Sequence, residues 1–184
     1  MDNLRFLQQR NSSPRLEEPA PDDLELDEML RAAVRAPDHG WLRPWRFIGI
    51  RGARREALGE VLERCLLGRN PQAGQTARDK ARKAPLRAPL LVVVVARISE
   101  HPKVPPLEQR LSAGCAAHGL LLAAEALGYA GIWRTGAAAF DPAVMRELDL
   151  SPDEEIIGFI YLGSRPGGAK ALPDIDLQSF LSYW

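Results

Sequence analysis

The chain has 184 residues, of which 46% are hydrophobic and 26% are charged, and its formal net charge is +0. This length predicts a single domain over residues 1–184, and this composition excludes a disordered chain. Because 24 Lys+Arg are balanced by 24 Asp+Glu, we expect no nucleic-acid partner held by a diffuse basic surface.

The spacing of the cysteine and histidine residues and the length of the apolar runs exclude further classes of protein. Cys65 and Cys115 lie far apart and the three histidines do not cluster, so we expect neither a disulfide scaffold nor a bound metal. The longest apolar run, residues 89–96, is too short to span a bilayer, and residues 1–10 do not have the apolar core of a signal peptide. We therefore expect a cytoplasmic protein with no membrane partner.

The first half of the chain shows helical spacing in three segments, a helical composition in a fourth and strand alternation in one. Helices are predicted over residues 4–10, 22–34, 54–67 and, with frayed ends, 68–88. The alternating run at 45–51 predicts a strand. Polar, Pro-containing turns at 11–14 and 36–40 end the first two helices.

The second half contains the most apolar segments. Strands are predicted at 90–95 and 155–163, a turn leading into a short strand at 128–134, and a helix at 141–148. The longest helix, 107–127, is apolar nearly all round, so we expect it to be buried on all sides, most easily at a subunit interface. Residues 165–184 are broken by Pro and Gly and end in aromatic residues, which should pack on a partner subunit. The pattern indicates an α+β fold of about four strands wrapped by helices.

Several common catalytic motifs are absent from the sequence. There is no P-loop, no Gly-x-Gly-x-x-Gly that opens a helix, no Gly-x-Ser-x-Gly elbow and no His-Glu-x-x-His. These absences argue against P-loop enzymes, ordinary dinucleotide-binding dehydrogenases, serine hydrolases and zinc proteases.

Three polar clusters remain as candidate binding sites. At the end of the first predicted helix, Arg10, Asn11 and Ser12 offer a guanidinium, a hydroxyl and free N–H groups, which together suit a phosphate and a polyol. The alternative is a solvated charge at a helix end followed by an ordinary turn.

The second cluster is the loop at 35–47, which holds Trp, Arg and His side chains suited to a flat aromatic ligand. The alternative is a packed loop with surface arginines, in which His39 is an ordinary loop histidine. The third cluster, residues 128–136, contains Gly131 and Gly136, which allow a ligand to approach the backbone closely. A helix C-cap followed by a strand explains the same residues.

Taken in order, these clusters resemble the FMN-dependent nitroreductase family over essentially the whole chain. The resemblance is carried by QRNS at 9–12, AP at 36–37, PWRF at 44–47, the run from SAG at 112–114 to LG at 127–128, and YLG at 161–163. It implies a nitroreductase-like fold with a mostly antiparallel sheet. It also implies a homodimer with swapped tails and two FMN sites at the subunit interface.

The resemblance assigns FMN-binding roles residue by residue. Arg10, Asn11 and Ser12 would grip the phosphate and ribityl chain, and Arg165 would complete the phosphate site. The backbone of residues 131–133 would run along the isoalloxazine ring. The complete set implied is Arg10, Asn11, Ser12, Arg35, His39, Gly131, Ile132, Trp133 and Arg165.

The two residues of this set without a role so far, Arg35 and His39, lie in the second cluster. Arg35 would join the phosphate grip or touch the polar edge of the ring, and His39 would reach the flavin from the other subunit. The loop departs from the family pattern. It reads Asp-His-Gly-Trp at 38–41 where most relatives have Ser-Ser-x-Asn, and Arg43 replaces the usual Gln.

The implied chemistry belongs to the cofactor. NADH or NADPH would deliver a hydride to flavin N5, and a nitroaromatic, a quinone or a related small electron-poor acceptor would then be reduced in ping-pong order. No catalytic side chain is expected. Three alternatives stay open: an FMN-storing or FMN-sensing dimer, an oxygen-using or dehalogenating flavoprotein of the same superfamily, and a dimer without flavin.

Overall fold

The structure is a computed structural model that describes residues 3–184, so Met1 and Asp2 of the predicted domain lie outside the described residues. The helices are α1 (Asn3–Gln8), α2 (Asp23–Ala33), α3 (Ala53–Arg69), α4 (Gln75–Lys83), α5 (Pro106–Ala126) and α6 (Pro142–Glu147). The strands are β1 (Trp45–Arg51), β2 (Leu90–Arg97), β3 (Ala130–Arg134) and β4 (Glu154–Gly163).

The four strands form one sheet in the order β1-β2-β4-β3, and all three pairings are antiparallel. Strand β2 is buried along almost its whole length because both faces of the sheet are covered. One face packs on α3 and α6 through residues such as Val93 and Tyr161. The other face packs on α2 and α5 through residues such as Val92 and Leu162. The predicted α+β architecture with an antiparallel sheet is therefore observed.

Helix α2 begins at a capping box. Asp22 Oδ1 accepts from the Glu25 amide at 2.8 Å, and Glu25 Oε2 accepts from the Asp22 amide at 3.0 Å, which satisfies two otherwise unpaired helix donors. The helix packs closely on α5 at Gly119. A Cβ added at this glycine would lie 3.2 Å from the Cα of Ala33. This packing fixes the loop that follows α2.

One predicted element is wrong in its extent. The single helix predicted over residues 68–88 is divided into the end of α3, a turn at 70–74, α4 and a 3₁₀ segment (Ala84–Arg87). Pro71 and Pro85 explain the breaks, since proline has no N–H to donate and clashes with the preceding turn. Asn70 stabilises the turn through Oδ1, which accepts from the Gln72 amide at 3.2 Å.

Two expectations about apolar surface concern a partner subunit. Helix α5 is not buried on all sides within one chain, since Leu107 and Leu111 are 63% and 60% exposed. The carboxy-terminal tail, residues 166–184, is exposed throughout, including Phe180 and Trp184. No described helix is long and apolar enough to cross a membrane.

Candidate functional site

A cavity of about 480 Å³, here called the anion pocket, lies where four distant segments meet. The segments are the one after α1, the one before β2, the end of β3 and the one after β4. Its basic lining residues are Arg15, Arg87, Arg134, Arg165 and Lys170, and Ser12 lies beside them. No carboxylate among the described residues lines this cavity, so its field favours an anion.

Arg134 is the most constrained of these cations. Its Nη2 donates to the Pro14 carbonyl at 3.4 Å, and its guanidinium carbon lies 5.8 Å from the centre of the Tyr161 ring. Its Nε is buried and has no hydrogen-bond partner among the described residues. A buried donor without an acceptor is costly, and an anionic ligand in the pocket would supply that acceptor.

Tyr161 forms the floor beneath this charge. Burial raises the pKa of Tyr161, and the nearby positive charges of Arg134 and Arg87 partly offset that rise. The tyrosine therefore stays neutral at physiological pH and serves as an aromatic surface under Arg134.

Arg165 is held in place on one side of the pocket. Its Nη2 donates to Glu125 Oε1 at 2.8 Å and to the Asn11 carbonyl at 3.1 Å. Asn11 Nδ2 in turn donates to the Lys170 carbonyl at 2.6 Å. Because Glu125 neutralises part of its charge, Arg165 orders the pocket wall as much as it adds to the positive field.

The segment after α1 is docked against the edge strand β3. The Ser13 amide donates to the Gly131 carbonyl at 3.1 Å, and Ser12 forms a parallel bridge with Gly131. A Cβ at Gly131 would lie 2.6 Å from Leu121 Cδ2 and 3.1 Å from the Tyr161 carbonyl oxygen, so the close packing of β3 against α5 and β4 favours glycine here. Arg10 lies beside this contact, with Nη1 3.3 Å from Ser12 Oγ.

The open edge of β3 presents backbone groups to the same region. Because hydrogen-bonding direction alternates along a strand, Trp133 shares the outward direction of Gly131. The Trp133 side chain points into the sheet, where Nε1 donates to the Ile157 carbonyl at 3.2 Å and the ring packs against Gly158. Ile132 packs on the opposite face.

A second cavity of about 590 Å³, here called the loop cavity, is formed by the chain between α2 and β1. Its lining includes Arg35, Asp38, Trp41, Arg43 and Trp45. His39 lies on the same loop, with Nδ1 2.7 Å from Glu108 Oε2 on α5.

The structure brings together only part of the predicted site. Ser12 and Arg165 line the anion pocket, and Arg10, Asn11 and Gly131 contact its walls. Arg35 lines the loop cavity, which shares no lining residue with the anion pocket, and His39 lies on the same loop in contact with Glu108. Within one chain, Arg35 therefore does not join the group around Ser12.

Three cations of the anion pocket lie outside the predicted clusters: Arg15, Arg87 and Lys170. They stand far apart in sequence, and no local motif marks them. Arg134 is the last residue of the predicted segment at 128–134 and belongs to the third predicted cluster, although it was not in the set assigned to FMN.

Comparison with known proteins defines the class. The model of the Nitroreductase family matches residues 7–164, so the chain belongs to this family of oxidoreductases. It is 45% identical, over 100% of both chains, to "Putative NAD(P)H nitroreductase YdjA" of Escherichia coli strain K12.

Solved structures agree at the level of fold. A nitroreductase-like family protein from Bacillus cereus superposes with a TM-score of 0.85 at 18% identity and covers 100% of this chain and 96% of its own. The FMN- and NADPH-dependent nitroreductase NfnB from "sphigopyxis sp. strain HMH" gives a TM-score of 0.79 at 17% identity, and the superposition covers 100% of this chain and 99% of that protein. The family and the nitroreductase-like fold predicted from the sequence are both confirmed.

Proposed function

We propose that the protein is an FMN-dependent NAD(P)H oxidoreductase that reduces a nitroaromatic, a quinone or a related electron-poor acceptor. The observation that carries the proposal is the anion pocket, whose five cations and unpaired Arg134 Nε fit a phosphate ester. Family membership and the 45% identical NAD(P)H nitroreductase relative support the reaction class.

The residues of the pocket have distinct roles in this proposal. Arg87 and Arg134 would bind the FMN phosphate directly, and Ser12 would contact the phosphate or ribityl chain with Arg10 beside it. Arg165 would order the wall. When bound, FMN supplies two-electron transfer between a nicotinamide donor and the acceptor.

The flavin ring would extend from the pocket along the open edge of β3. Residues 12–13 occupy the edge at Gly131, so the outward backbone groups of Trp133 would face the polar edge of the ring. No Asp, Glu, His or Cys side chain of the described residues lines the anion pocket.

We further propose a homodimer in which each site is completed by the partner. Arg35 and His39 lie away from the anion pocket of their own chain, so they would reach the flavin bound to the other copy. The exposed Leu107 and Leu111 of α5 and the aromatic tail supply apolar surface for such an interface. The whole chain would form one FMN-binding domain, and its two free cysteines suit the reducing cytoplasm.

The first test compares FMN with riboflavin, which has the same ring and ribityl chain but no phosphate. Apoprotein should bind FMN at least about 100-fold more tightly, the value of two charge-assisted contacts. Equal dissociation constants would contradict the phosphate assignment.

The second test is the visible spectrum of the holoprotein before and after anaerobic NADH or NADPH. Bleaching of the flavin bands within seconds, followed by recovery on addition of a quinone, is expected. Bands that persist with both donors would favour the alternative of an FMN-storing or FMN-sensing protein. A sedimentation mass near 20.3 kDa with FMN bound would contradict the shared site.

A further inference from the structure

The loop cavity combines aromatic surface with positive charge. Trp41 is 82% exposed, whereas Trp45 is buried at the floor. Arg35 and Arg43 both line the space, whose volume of about 590 Å³ accommodates a small aromatic ligand.

The arginine charges at this cavity are not committed to other groups. Within residues 3–184, no carboxylate pairs with Arg35 or Arg43 within 4.0 Å. Asp38 is the one acidic residue among those that line the cavity, and its Oδ2 already accepts from the Arg43 amide at 2.7 Å. The cavity therefore carries a net positive charge with two free guanidinium groups.

The backbone holds the aromatic and basic side chains in this arrangement at a cost. Trp41 and Arg43 have φ values of 57° and 49°, in the left-handed region that side chains rarely adopt. The bond from the Arg43 amide to Asp38 closes the loop around them. Such conformations persist where the surrounding structure imposes them, and they concentrate at ligand sites.

We propose that the loop cavity binds a planar aromatic carboxylate, with its ring stacked on Trp41 and its carboxylate paired with Arg43. Aromatic acids that also carry a reducible group, such as a nitro group, are then the acceptors that this protein prefers. The inference rests on the proposed function, because the loop faces the partner's flavin only if Arg35 and His39 complete that site.

The reaction for an aromatic nitro acid is balanced. The donor NAD(P)H, a proton and the nitro acid give NAD(P)⁺, the nitroso acid and water. Two electrons leave the nicotinamide, one N–O bond of the nitro group breaks, and the released oxygen leaves as water with two protons. The carboxylate is unchanged and serves only for recognition.

Binding is tested with redox-inert ligands on the protein as isolated. Calorimetry compares para-hydroxybenzoate with para-hydroxybenzamide, a neutral ligand of the same shape. We expect the acid to bind about tenfold more tightly, the value of one charge-assisted contact. Arg43→Gln should abolish this preference and leave the affinity for the amide unchanged. Arg54→Gln, which removes the same charge from an exposed site on α3, should preserve the preference.

Trp41 is tested separately with the same two ligands. Trp41→Ala should weaken the binding of both by about tenfold, and Trp41→Phe should restore most of the affinity because it keeps an aromatic face. Equal affinities for acid and amide, no binding of either at millimolar concentration, or an unchanged preference in Arg43→Gln would overturn the proposal.

Turnover separates this inference from the proposed function. Reduction of para-nitrobenzoate should have a higher kcat/KM than reduction of para-nitrobenzamide, and Arg43→Gln should remove the difference. Rapid reduction of a neutral benzoquinone, together with equal kcat/KM values for para-nitrobenzoate and para-nitrobenzamide, would overturn this inference and leave the proposed function standing. Charge-selective binding in a protein whose flavin is not bleached by NADH or NADPH would overturn the proposed function and leave the aromatic-acid site standing.

Discussion

The anion pocket and the loop cavity are both rich in arginine, but they are constructed differently. The pocket gathers cations from four segments that the sheet holds together, and its key contact is the docking of residues 12–13 on Gly131. The loop cavity is lined entirely by residues 34–45 and depends on an unusual local backbone. The pocket should therefore respond to changes in the sheet, and the cavity to changes in loop conformation.

The largest expected effect is on the foundation of the anion pocket. Gly131→Ala should lower the free energy of unfolding by about 2–3 kcal/mol, because its Cβ would overlap Leu121 and press on the Tyr161 carbonyl. Urea denaturation measures the loss. Gly49→Ala on β1 has no atom within 4 Å of its new Cβ and should leave stability unchanged or raise it by about 0.5 kcal/mol. Equal stability of the two variants would contradict the close packing of Gly131 against α5 and β4.

The second effect concerns charge within the same pocket. Arg87→Gln and Arg134→Gln should each weaken FMN binding by about 2 kcal/mol, or roughly 30-fold, since each removes a charge-assisted contact. Riboflavin affinity should change little in either variant. Fluorescence titration of apoprotein measures both ligands, with Arg54→Gln as the control of equal charge. A parallel loss of riboflavin affinity would mean that these residues only shape the pocket.

The third effect lies where the loop cavity joins the sheet. Next to Trp45, Arg46 donates to both oxygens of Glu154 at 2.8 and 2.6 Å, and Arg97 donates at 3.0 Å. The hydrogen bonds from Arg46, with a smaller contribution from Arg97, lower the pKa of Glu154 from 4.5 to about 2. Because the pKa of Glu154 is lower in the folded protein than its ordinary value of 4.5, the ionised carboxylate stabilises the fold at pH values above 4.5. This stabilisation is lost as the pH falls through 4.5 towards 2.

Glu154→Gln should therefore cost about 1.5 kcal/mol at neutral pH, discounted because both arginines are partly exposed. The variant should also lose less stability than the wild type between neutral pH and pH 2. Thermal unfolding across this pH range measures both effects. Glu147→Gln, which breaks an exposed pair with Arg64, should cost less than about 0.5 kcal/mol. Parallel pH curves for wild type and Glu154→Gln would refute the assignment.

The smallest effect tests the backbone of the loop. Arg43→Gly should raise the free energy of unfolding by up to about 1 kcal/mol, because glycine adopts φ 49° without steric cost. Leu42→Gly, at an ordinary φ of −72°, should lower it by at least about 0.5 kcal/mol. Chemical denaturation of the pair gives the comparison, and a loss of stability in both variants would show that the loop is not strained.

The sequence was informative where the signal is local. The alternation at 45–51 predicted β1 with its observed bounds, and the β-branched run at 90–95 located most of β2. The predicted helix at 68–88 was too long because the helical composition outweighed two prolines in the interpretation. The residues of the loop cavity were recognised as a cluster because they are contiguous in the sequence.

The anion pocket could be predicted only in part. Arg10 to Ser12 formed a recognisable cluster, whereas Arg15, Arg87 and Lys170 became neighbours only through the pairing of distant strands. Charge convergence of this kind is a property of the tertiary structure, and spacing along the chain does not report it. The resemblance to the family added Arg165, whose pairing with Glu125 no local pattern indicated.

The docking of residues 12–13 also bears on solubility. Strand β3 lies at the edge of the sheet, and an uncovered edge can pair with a strand of another molecule. The Ser12 bridge and the Ser13 amide occupy part of that edge. The segment that would hold the cofactor thus also blocks intermolecular strand addition. Displacement of this segment would expose the edge, so that loss of cofactor and the onset of aggregation would occur together.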